Sequence, residues 1–165
     1  MKRVVAILET MWDWRAMTSG AGYRQAPPFF RINPKNYSGR RLYKLLDGQG
    51  QLLVTNACKE LATSAKGHGV PNPEWLAENL KTLDGMSVKP EDQQIDGNID
   101  LLLVCGKVAQ ETFKACGYRP HVARILEIPH PAARGKWTKE TIRATQQSIH
   151  NIIRGNNHDD DATTN

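Results

Sequence analysis

The run LLLVCGKVAQETF at residues 101–113 decides the fold, because it joins a buried strand directly to a helix. Its first five residues are continuously apolar, as expected of a strand that is covered on both faces of a parallel sheet. Gly106 ends that run and begins a segment in which Val108, Ala109 and Phe113 recur at helical spacing. A strand followed at once by a helix is the repeating unit of an α/β protein.

The same pairing of strand and helix recurs along the whole chain. The apolar runs that we predict to be strands cover residues 4–8, 52–55, 101–105 and 124–128. Residues suited to cap helices stand between or after these strands, at Ser38, at the Asn72-Pro73 pair and at Thr138. This alternation predicts an α/β fold, namely a three-layer α/β/α sandwich with a central four-stranded parallel sheet.

The distribution of charge predicts one basic domain followed by an acidic tail. The chain has 165 residues, of which 22 are Lys or Arg and 17 are Asp or Glu, so its net charge is +5. Residues 156–165 hold three of the acids and show no apolar periodicity, so we expect a disordered tail after a domain of residues 1–155. That domain carries 22 basic and 14 acidic residues, a net charge of +8, which favours a nucleic acid as partner.

Several classes of protein are disfavoured by what the sequence lacks. No apolar run approaches the roughly 20 residues that span a bilayer, and Glu9 ends the first run too early for a signal peptide. We therefore expect a cytoplasmic protein that does not contact a membrane. The three cysteines, Cys58, Cys105 and Cys116, form no C-x-x-C pair and are predicted to be packing thiols. The absence of G-x-x-x-x-G-K-[ST] and G-x-G-x-x-G runs disfavours nucleoside triphosphates and dinucleotides as ligands.

Polar residues follow two of the predicted strands, at the edge of the sheet where parallel α/β proteins bind ligands. Asn56 comes directly after the second strand, and His130 follows the fourth. The connection 10–37 leaves the first strand at the same edge, and it is longer than the about 12–15 residues beyond which loops tend to be functional or disordered. The sequence therefore predicts a ligand site here. The alternatives are a turn or capping role for Asn56 and a surface-loop role for His130.

Four segments, taken together and in this order, resemble the uracil-DNA glycosylase superfamily. They read SGRRLYKLL at residues 38–46, LLVTNACK at 52–59, LLLVCGKVAQETF at 101–113 and IPHPAAR at 128–134. The first is similar to the helix after the family's first catalytic motif, and the second to its second strand. The third is similar to the family's third strand and following helix, and the last to its histidine loop. The resemblance implies a uracil-DNA glycosylase-like domain over residues 1–155.

The resemblance implies a monofunctional DNA glycosylase, which flips a pyrimidine out of DNA and hydrolyses its N-glycosidic bond to leave an abasic site. Asn56 would read the base edge, since an amide offers a donor and an acceptor, and Tyr23, Phe29 or Phe30 would stack on the base. His130 would stabilise the departing base. Packing of the two phenylalanines against the core is the alternative. We expect such an enzyme to act as a monomer without a metal or a cofactor.

Contacts to DNA are implied for Ser38 and for the residues after the histidine loop. Family members wedge a side chain into the duplex and grip phosphate there, which points to Arg134, Lys136 and Trp137. The alternative is a solvated charge pair beside an aromatic anchor at the start of the last helix. Ala132 stands where the family's loop has a hydroxyl residue, so one expected phosphate contact is missing.

The catalytic carboxylate is the point at which the chain departs from the family. The family has a glycine, an acid or amide, and a proline directly after the first strand, whereas this chain continues with ETMWDW at residues 9–14. A gapless match places Met11 at the catalytic position, and a shift of two residues brings Asp13 or Glu9 there. We favour Asp13 over Glu9 as the residue that orients the attacking water.

These departures predict a target other than plain uracil. A pocket remodelled for a bulkier modified pyrimidine is one interpretation, and because some bacteriophages carry such bases, the enzyme would serve antiviral defence. An alternative from another class is a non-catalytic module that binds DNA or a nucleobase on the same fold. A third interpretation, an α/β enzyme of free nucleotides, predicts little affinity for duplex DNA.

Overall fold

The computed structural model describes residues 2–10, 28–60, 69–83 and 99–155, in which strands and helices alternate. The strands are β1 (Arg3–Leu8), β2 (Gln51–Asn56), β3 (Ile99–Cys105) and β4 (Val122–Ile128). The helices are α1 (Tyr37–Leu46), α2 (Pro73–Lys81), α3 (Lys107–Ala115) and α4 (Lys139–Ile153). The predicted α/β/α sandwich with a four-stranded parallel sheet is confirmed for these residues. The predicted tail, residues 156–165, lies outside them.

All neighbouring strands of the sheet run parallel, in the order β2-β1-β3-β4. The chain therefore passes from β1 to β2 on one side and then crosses back past β1 to reach β3 on the other side. The connections that leave β1 and β3 diverge, and the crevice between such connections is the usual ligand site of open α/β sheets. The register sets Leu8 beside Asn56 and Cys105 beside Ile128, so neighbouring strands end nearly level.

Side chains alternate along each strand between two core layers. On β1, Val4 and Ala6 face the layer that α1 and α4 close, whereas Val5 and Ile7 face the layer that α2 and α3 close. These side chains are fully buried, which explains why the strand is apolar without alternation. Because burial of one valine- or leucine-sized side chain contributes roughly 1.5–3 kcal/mol, the two layers supply most of the driving force for folding.

The segment before α1 joins the sheet through Phe30. Its backbone N–H and carbonyl exchange hydrogen bonds with those of Val54 on β2, both at 2.9 Å, in an isolated antiparallel bridge. The Phe30 ring is buried in the α1–α4 layer, and the neighbouring Phe29 ring is buried in the α2–α3 layer. The two phenylalanines thus hold this segment against both faces of the core.

Asn72 and Thr138 cap α2 and α4 as predicted, but the cap of α1 is Asn36, and the prediction of Ser38 was wrong. The side-chain oxygen of Asn36 accepts a hydrogen bond from the backbone N–H of Gly39 at 2.6 Å. This bond starts the helix at Tyr37, so Ser38 falls within the first turn. Asparagine caps a helix at least as well as serine, so the earlier of the two residues sets the start.

The cysteines are free, and Cys58 and Cys105 are buried. Burial raises the pKa of the Cys105 thiol, and burial together with the Glu9 carboxylate raises the pKa of Cys58 to about 11. Both thiols are therefore protonated at neutral pH and are poor nucleophiles. Among the described residues, no group of three His, Cys, Asp or Glu side chains is placed to hold a metal ion. No helix in that part of the chain is long and apolar enough to cross a membrane.

Replacing Gly39 with alanine is expected to destabilise the fold, although the same change inside a helix is normally favourable by up to about 1 kcal/mol. An added Cβ would collide with the Asn33 carbonyl oxygen and would lie 2.9 Å from the side-chain oxygen of Asn36. Overpacking of this kind costs roughly 1–3 kcal/mol. Urea denaturation of both proteins measures the difference. A variant that is more stable than the parent would show that α1 does not pack this closely.

Candidate functional site

The ends of the four strands bring a small set of functional side chains together, and we term this set the carboxyl edge. Glu9 follows β1, Asn56 is the last residue of β2, and Gly106 follows β3. His130 lies two residues beyond the end of β4. The charge of the Glu9 carboxylate opposes the lowering of the His130 pKa by burial. The structure therefore places Asn56, His130 and one of the two predicted carboxylates at the same edge of the sheet.

Asn56 is a buried amide that the fold leaves without hydrogen bonds. The residue is 0% exposed, and neither its side-chain oxygen nor its side-chain nitrogen has a partner within the described chain. An unpaired buried donor or acceptor costs about 1–3 kcal/mol. Elsewhere in the described residues, only Nε2 of His150 is in the same situation. An amide in this state at the ligand edge of an α/β sheet is suited to bind a donor–acceptor pair on a ligand.

A second buried asparagine, in contrast, has a hydrogen-bond partner within the protein. Asn79 on α2 is 5% exposed, and its side-chain nitrogen donates to the hydroxyl of Thr55 at 3.4 Å. Thr55 precedes Asn56 on β2, so the two side chains point to opposite faces of the sheet. The polar pair on the α2 face is therefore satisfied within the protein, whereas the amide on the opposite face is not.

His130 lies so close to the backbone of Gly106 that a side chain there would displace it. An ideal Cβ on Gly106 would be 2.9 Å from the Cβ of His130. Gly106 also has a φ of +87°, a conformation that residues with a side chain rarely adopt. Its N–H donates to the Ile128 carbonyl at 2.8 Å, which ties the start of α3 to the end of β4. Glycine at the β3–α3 junction thus makes room for the histidine.

The hydrogen bonding and burial of His130 favour a neutral ring with its proton on Nε2. The backbone N–H of Ala132 donates to Nδ1 at 3.0 Å, which requires a lone pair on that nitrogen. Burial lowers the pKa of the imidazole below its ordinary value of 6.5, and the Glu9 carboxylate opposes this with a smaller upward effect. At pH 7 the side chain therefore offers an Nε2–H donor without a positive charge.

Two side chains fix the loop that carries His130. One comes from the first turn of α3, and the other lies just before α4. The amide nitrogen of Gln110 on α3 donates to the carbonyls of Val104 at 3.3 Å and Ile128 at 3.1 Å. Because this nitrogen has two hydrogens, it can hold both strands at once. The indole N–H of Trp137, just before α4, donates to the His130 carbonyl at 2.9 Å. The imidazole therefore stands on a backbone that is held from two sides.

Glu9 is a half-buried residue that acts on two strand ends. Its carbonyl accepts a hydrogen bond from the N–H of Cys58 at 3.0 Å, so the chain beyond β1 stays paired with the chain beyond β2. Its negative charge acts upward on the pKa of Cys58 and, against the larger lowering by burial, on the pKa of His130. Glu9 is thus the predicted catalytic carboxylate that the described residues place at the same edge of the sheet as the histidine. Asp13, which the sequence favoured, lies outside the described residues.

The three predicted base-stacking residues differ in what the structure describes, and the Phe29 ring is buried in the α2–α3 layer. Tyr23 lies outside the described residues. The Phe30 ring is 4% exposed and packs in the α1–α4 layer, beside the bridge to Val54. Its placement accords with the packing alternative raised by the sequence, and its contact with a base stays a prediction.

The predicted DNA contacts lie near the start of α1 and on the loop after His130. Ser38 is in the first turn of α1, Arg134 and Lys136 are exposed, and Trp137 is half-buried. The Trp137 ring faces the guanidinium of Arg41 from α1. The structure therefore links the two regions through this ring, while their contact with DNA stays a prediction.

Sequence reasoning missed Gln110 and Arg41. Gln110 lies one helical turn after Gly106, so helical spacing alone would have placed it over the strand ends. Arg41 lies one turn after Tyr37, and this spacing indicates the contact between those two residues. The contact of Arg41 with Trp137 depends on how α1 packs beside the His130 loop, and no spacing within the sequence reveals it.

The fold and the site define a class of protein. It is a parallel α/β/α domain whose carboxyl edge holds a neutral histidine and, within the described chain, an unpartnered buried amide. The sequence matches no known protein-family model and no curated protein. The resemblance to the uracil-DNA glycosylase superfamily therefore stays a prediction.

The ring of His130 is expected to titrate below pH 6.5, because burial lowers its pKa. Glu9→Gln should lower this pKa further, since the substitution removes the negative charge that raises it. NMR titration of the histidine ring protons, assigned with a His130→Gln variant, measures both effects. An identical His130 titration curve in the Glu9→Gln protein would show that the Glu9 charge does not act on the imidazole.

Asn56→Leu is expected to stabilise the ligand-free protein by roughly 1–3 kcal/mol, because an apolar side chain of similar size removes two unpaired polar atoms from the interior. Asn79→Leu is the matched control and should lower stability, since it breaks the bond to Thr55. Chemical denaturation of the three proteins compares their free energies of unfolding. Equal losses in both variants would mean that the fold itself satisfies the Asn56 amide.

Proposed function

We propose that the protein is a monofunctional DNA glycosylase that flips a pyrimidine nucleotide out of DNA and hydrolyses the bond between base and deoxyribose. Water supplies the hydroxyl group that ends on the sugar. The base departs with the electron pair of the broken bond and then takes up a proton, which leaves an abasic site. The family resemblance suggests this reaction, and the groups of the carboxyl edge support it.

The buried Asn56 amide, without a partner in the described residues, is the observation that carries this proposal. The edge of a pyrimidine displays a ring nitrogen beside an exocyclic oxygen or amine, which forms a donor–acceptor pair that an amide can match. Pairing would supply both hydrogen bonds that the fold leaves unmade, so binding gains the relief of their desolvation cost. A group buried inside the domain also favours a flipped base, because a stacked base cannot reach it.

His130 is suited to stabilise the departing base. As the glycosidic bond breaks, negative charge develops on the pyrimidine, including the exocyclic oxygen beside that bond. A neutral imidazole with its proton on Nε2 can donate a hydrogen bond to this oxygen. A fixed donor aimed at developing charge contributes about 2.7–4 kcal/mol to stabilisation of the transition state. The bonds from Ala132 and Trp137 keep the ring and its backbone in place for this role.

A carboxylate at the same edge would serve the sugar side of the reaction. The deoxyribose gains positive character as the base leaves, and a nearby negative charge stabilises it. The same carboxylate can accept a hydrogen bond from the attacking water and orient it. The position of Glu9 directly after β1 and the effect of its charge on the pKa of His130 support Glu9 in this role, and Asp13 is the other candidate.

The proposed target class is a modified pyrimidine, with bacteriophage DNA as its source. Residues 9–14 depart from the family pattern, and the connection that follows contains the run SGAGY at residues 19–23. Small and aromatic residues of this kind fit a pocket that has been remodelled for a bulkier base. An enzyme with this specificity would act in antiviral defence.

The protein is expected to create alkali-labile sites in oligonucleotides that carry a modified pyrimidine, and to act more slowly on plain uracil. The test panel holds uracil, thymine opposite guanine, hypoxanthine, 5-hydroxymethyluracil, 5-hydroxymethylcytosine and glucosylated cytosine, together with DNA from phages with modified bases. His130→Ala should lower the rate on the preferred substrate by roughly 100- to 1,000-fold, the usual loss when a donor to developing charge is removed. Strand breaks after alkali treatment measure release.

His121→Ala is the matched control. His121 is exposed and immediately precedes β4, so it lies at the end of the sheet where the strands begin, away from the carboxyl edge. This variant should release the base at the parent rate. Release of uracil as fast as any modified base would refute the proposed target class but would support the proposed glycosylase activity. No release from any substrate, with DNA binding intact, would favour the non-catalytic binding module.

A further inference from the structure

Two arginines at the start of α1 lie against aromatic rings beside the His130 loop. The guanidinium carbon of Arg41 is 5.6 Å from the centre of the Trp137 ring and 6.0 Å from that of Tyr37. The guanidinium carbon of Arg40 is 5.7 Å from the centre of the same Tyr37 ring. These are cation–π distances. Tyr37 is 55% exposed, so a ligand in solution can reach the charges around it.

The two arginine charges have no acidic partner in the part of the chain that the structure describes. The ion pairs found there involve other residues, and the α1 sequence YSGRRLYKLL contains three basic residues and no acid. Two like charges that share one ring repel each other. An anion bound between Arg40 and Arg41 would relieve this repulsion, so the arrangement favours an anionic ligand.

The position of these charges relative to the candidate site is fixed by direct contacts. The indole that faces Arg41 is the one that donates its N–H to the His130 carbonyl. One turn further along α1, the side-chain amide of Gln146 on α4 donates to the Lys44 carbonyl at 2.8 Å. The arginines and the imidazole are therefore parts of one packed unit.

We propose that Arg40 and Arg41 form a phosphodiester-binding site that grips the DNA backbone next to the nucleotide held at the carboxyl edge. This inference rests on the proposed function. Guanidinium groups bind phosphate oxygens through paired N–H donors. The rings of Tyr37 and Trp137 limit the conformations of the two side chains, so less entropy is lost when phosphate binds.

Arg40 and Arg41 are not among the DNA contacts that the family resemblance implies, although Ser38 lies on the same helix and Trp137 faces Arg41. The other two implied contacts, Arg134 and Lys136, are exposed residues of the loop after His130. Arg41, in contrast, is half-buried between α1 and the Trp137 ring, and the exposed Arg40 lies against the Tyr37 ring. Because these rings restrain the two guanidinium groups, the pair would hold the DNA backbone in a fixed place, whereas Arg134 and Lys136 would provide general attraction.

The salt dependence of DNA binding tests the inference. Fluorescence anisotropy measures the affinity for a labelled duplex of the four ordinary bases, and for one of its single strands, over a series of KCl concentrations. Each phosphate contact contributes about 0.9 to the slope of log affinity against log salt for a duplex, and about 0.7 for a single strand. Arg41→Ala should lower the slope by one contact, and the double variant Arg40→Ala/Arg41→Ala by two. Each lost contact should weaken duplex binding by about eightfold near 0.1 M salt.

Two further variants separate phosphate binding from charge in general and from folding. Arg119→Ala is the matched control and should keep the parent slope. Arg119 is exposed between α3 and β4, at the end of the sheet where the strands begin. Arg41→Lys keeps the charge, so it should restore the slope but only part of the affinity, since an ammonium group lacks the paired donors.

The outcomes distinguish this inference from the proposed function. A parent-like slope in the double variant would overturn the phosphate site even if the protein releases a base. A slope that depends on Arg41, without release of any base, would retain the phosphate site and remove the glycosylase. No salt-dependent binding of DNA by the parent protein would overturn both.

Discussion

The Ile128 carbonyl at the end of β4 accepts two hydrogen bonds from the β3–α3 junction, and the carboxyl edge depends on them. The N–H of Gly106 donates at 2.8 Å, and the side-chain amide of Gln110 donates at 3.1 Å. Together they bring the ends of β3 and β4 to one level. His130 then lies against Gly106, in the space that the Cβ of any other residue would occupy. Because the strands end together, the histidine, the buried amide of Asn56 and the carboxylate of Glu9 all lie at one edge of the sheet.

The carboxyl edge holds groups that are individually unfavourable in the free protein. Asn56 is desolvated without hydrogen bonds from the described residues, and His130 is desolvated enough that its pKa falls. The two apolar layers of the sandwich offset these local costs. In the core, buried polar groups are hydrogen-bonded, and this rule is broken at the carboxyl edge. Such departures are expected at functional sites, where function outweighs local stability.

The fold was predictable from the sequence because each strand is buried on both faces and each helix follows at a recognisable cap. The start of α1 was not, since Asn36 and Ser38 are both good caps, and only the structure shows that the Gly39 N–H donates to Asn36. The positions of Asn56 and His130 at strand ends were also predictable. The effect of the Glu9 charge on His130 was not predictable, because it depends on the order of the strands in the sheet. No spacing along the chain encodes that order.

The bridge between Phe30 and Val54 has a consequence for association between molecules. β2 is an edge strand, and the free N–H and carbonyl groups of such a strand are a template for pairing with another chain. Phe30 occupies those groups in the middle of β2, and the two phenylalanine rings cover the edge on either face. At the opposite edge, β4 carries the exposed charges Arg124 and Glu127, which oppose the approach of a second sheet. Both edges are thus protected against growth of the sheet into an aggregate.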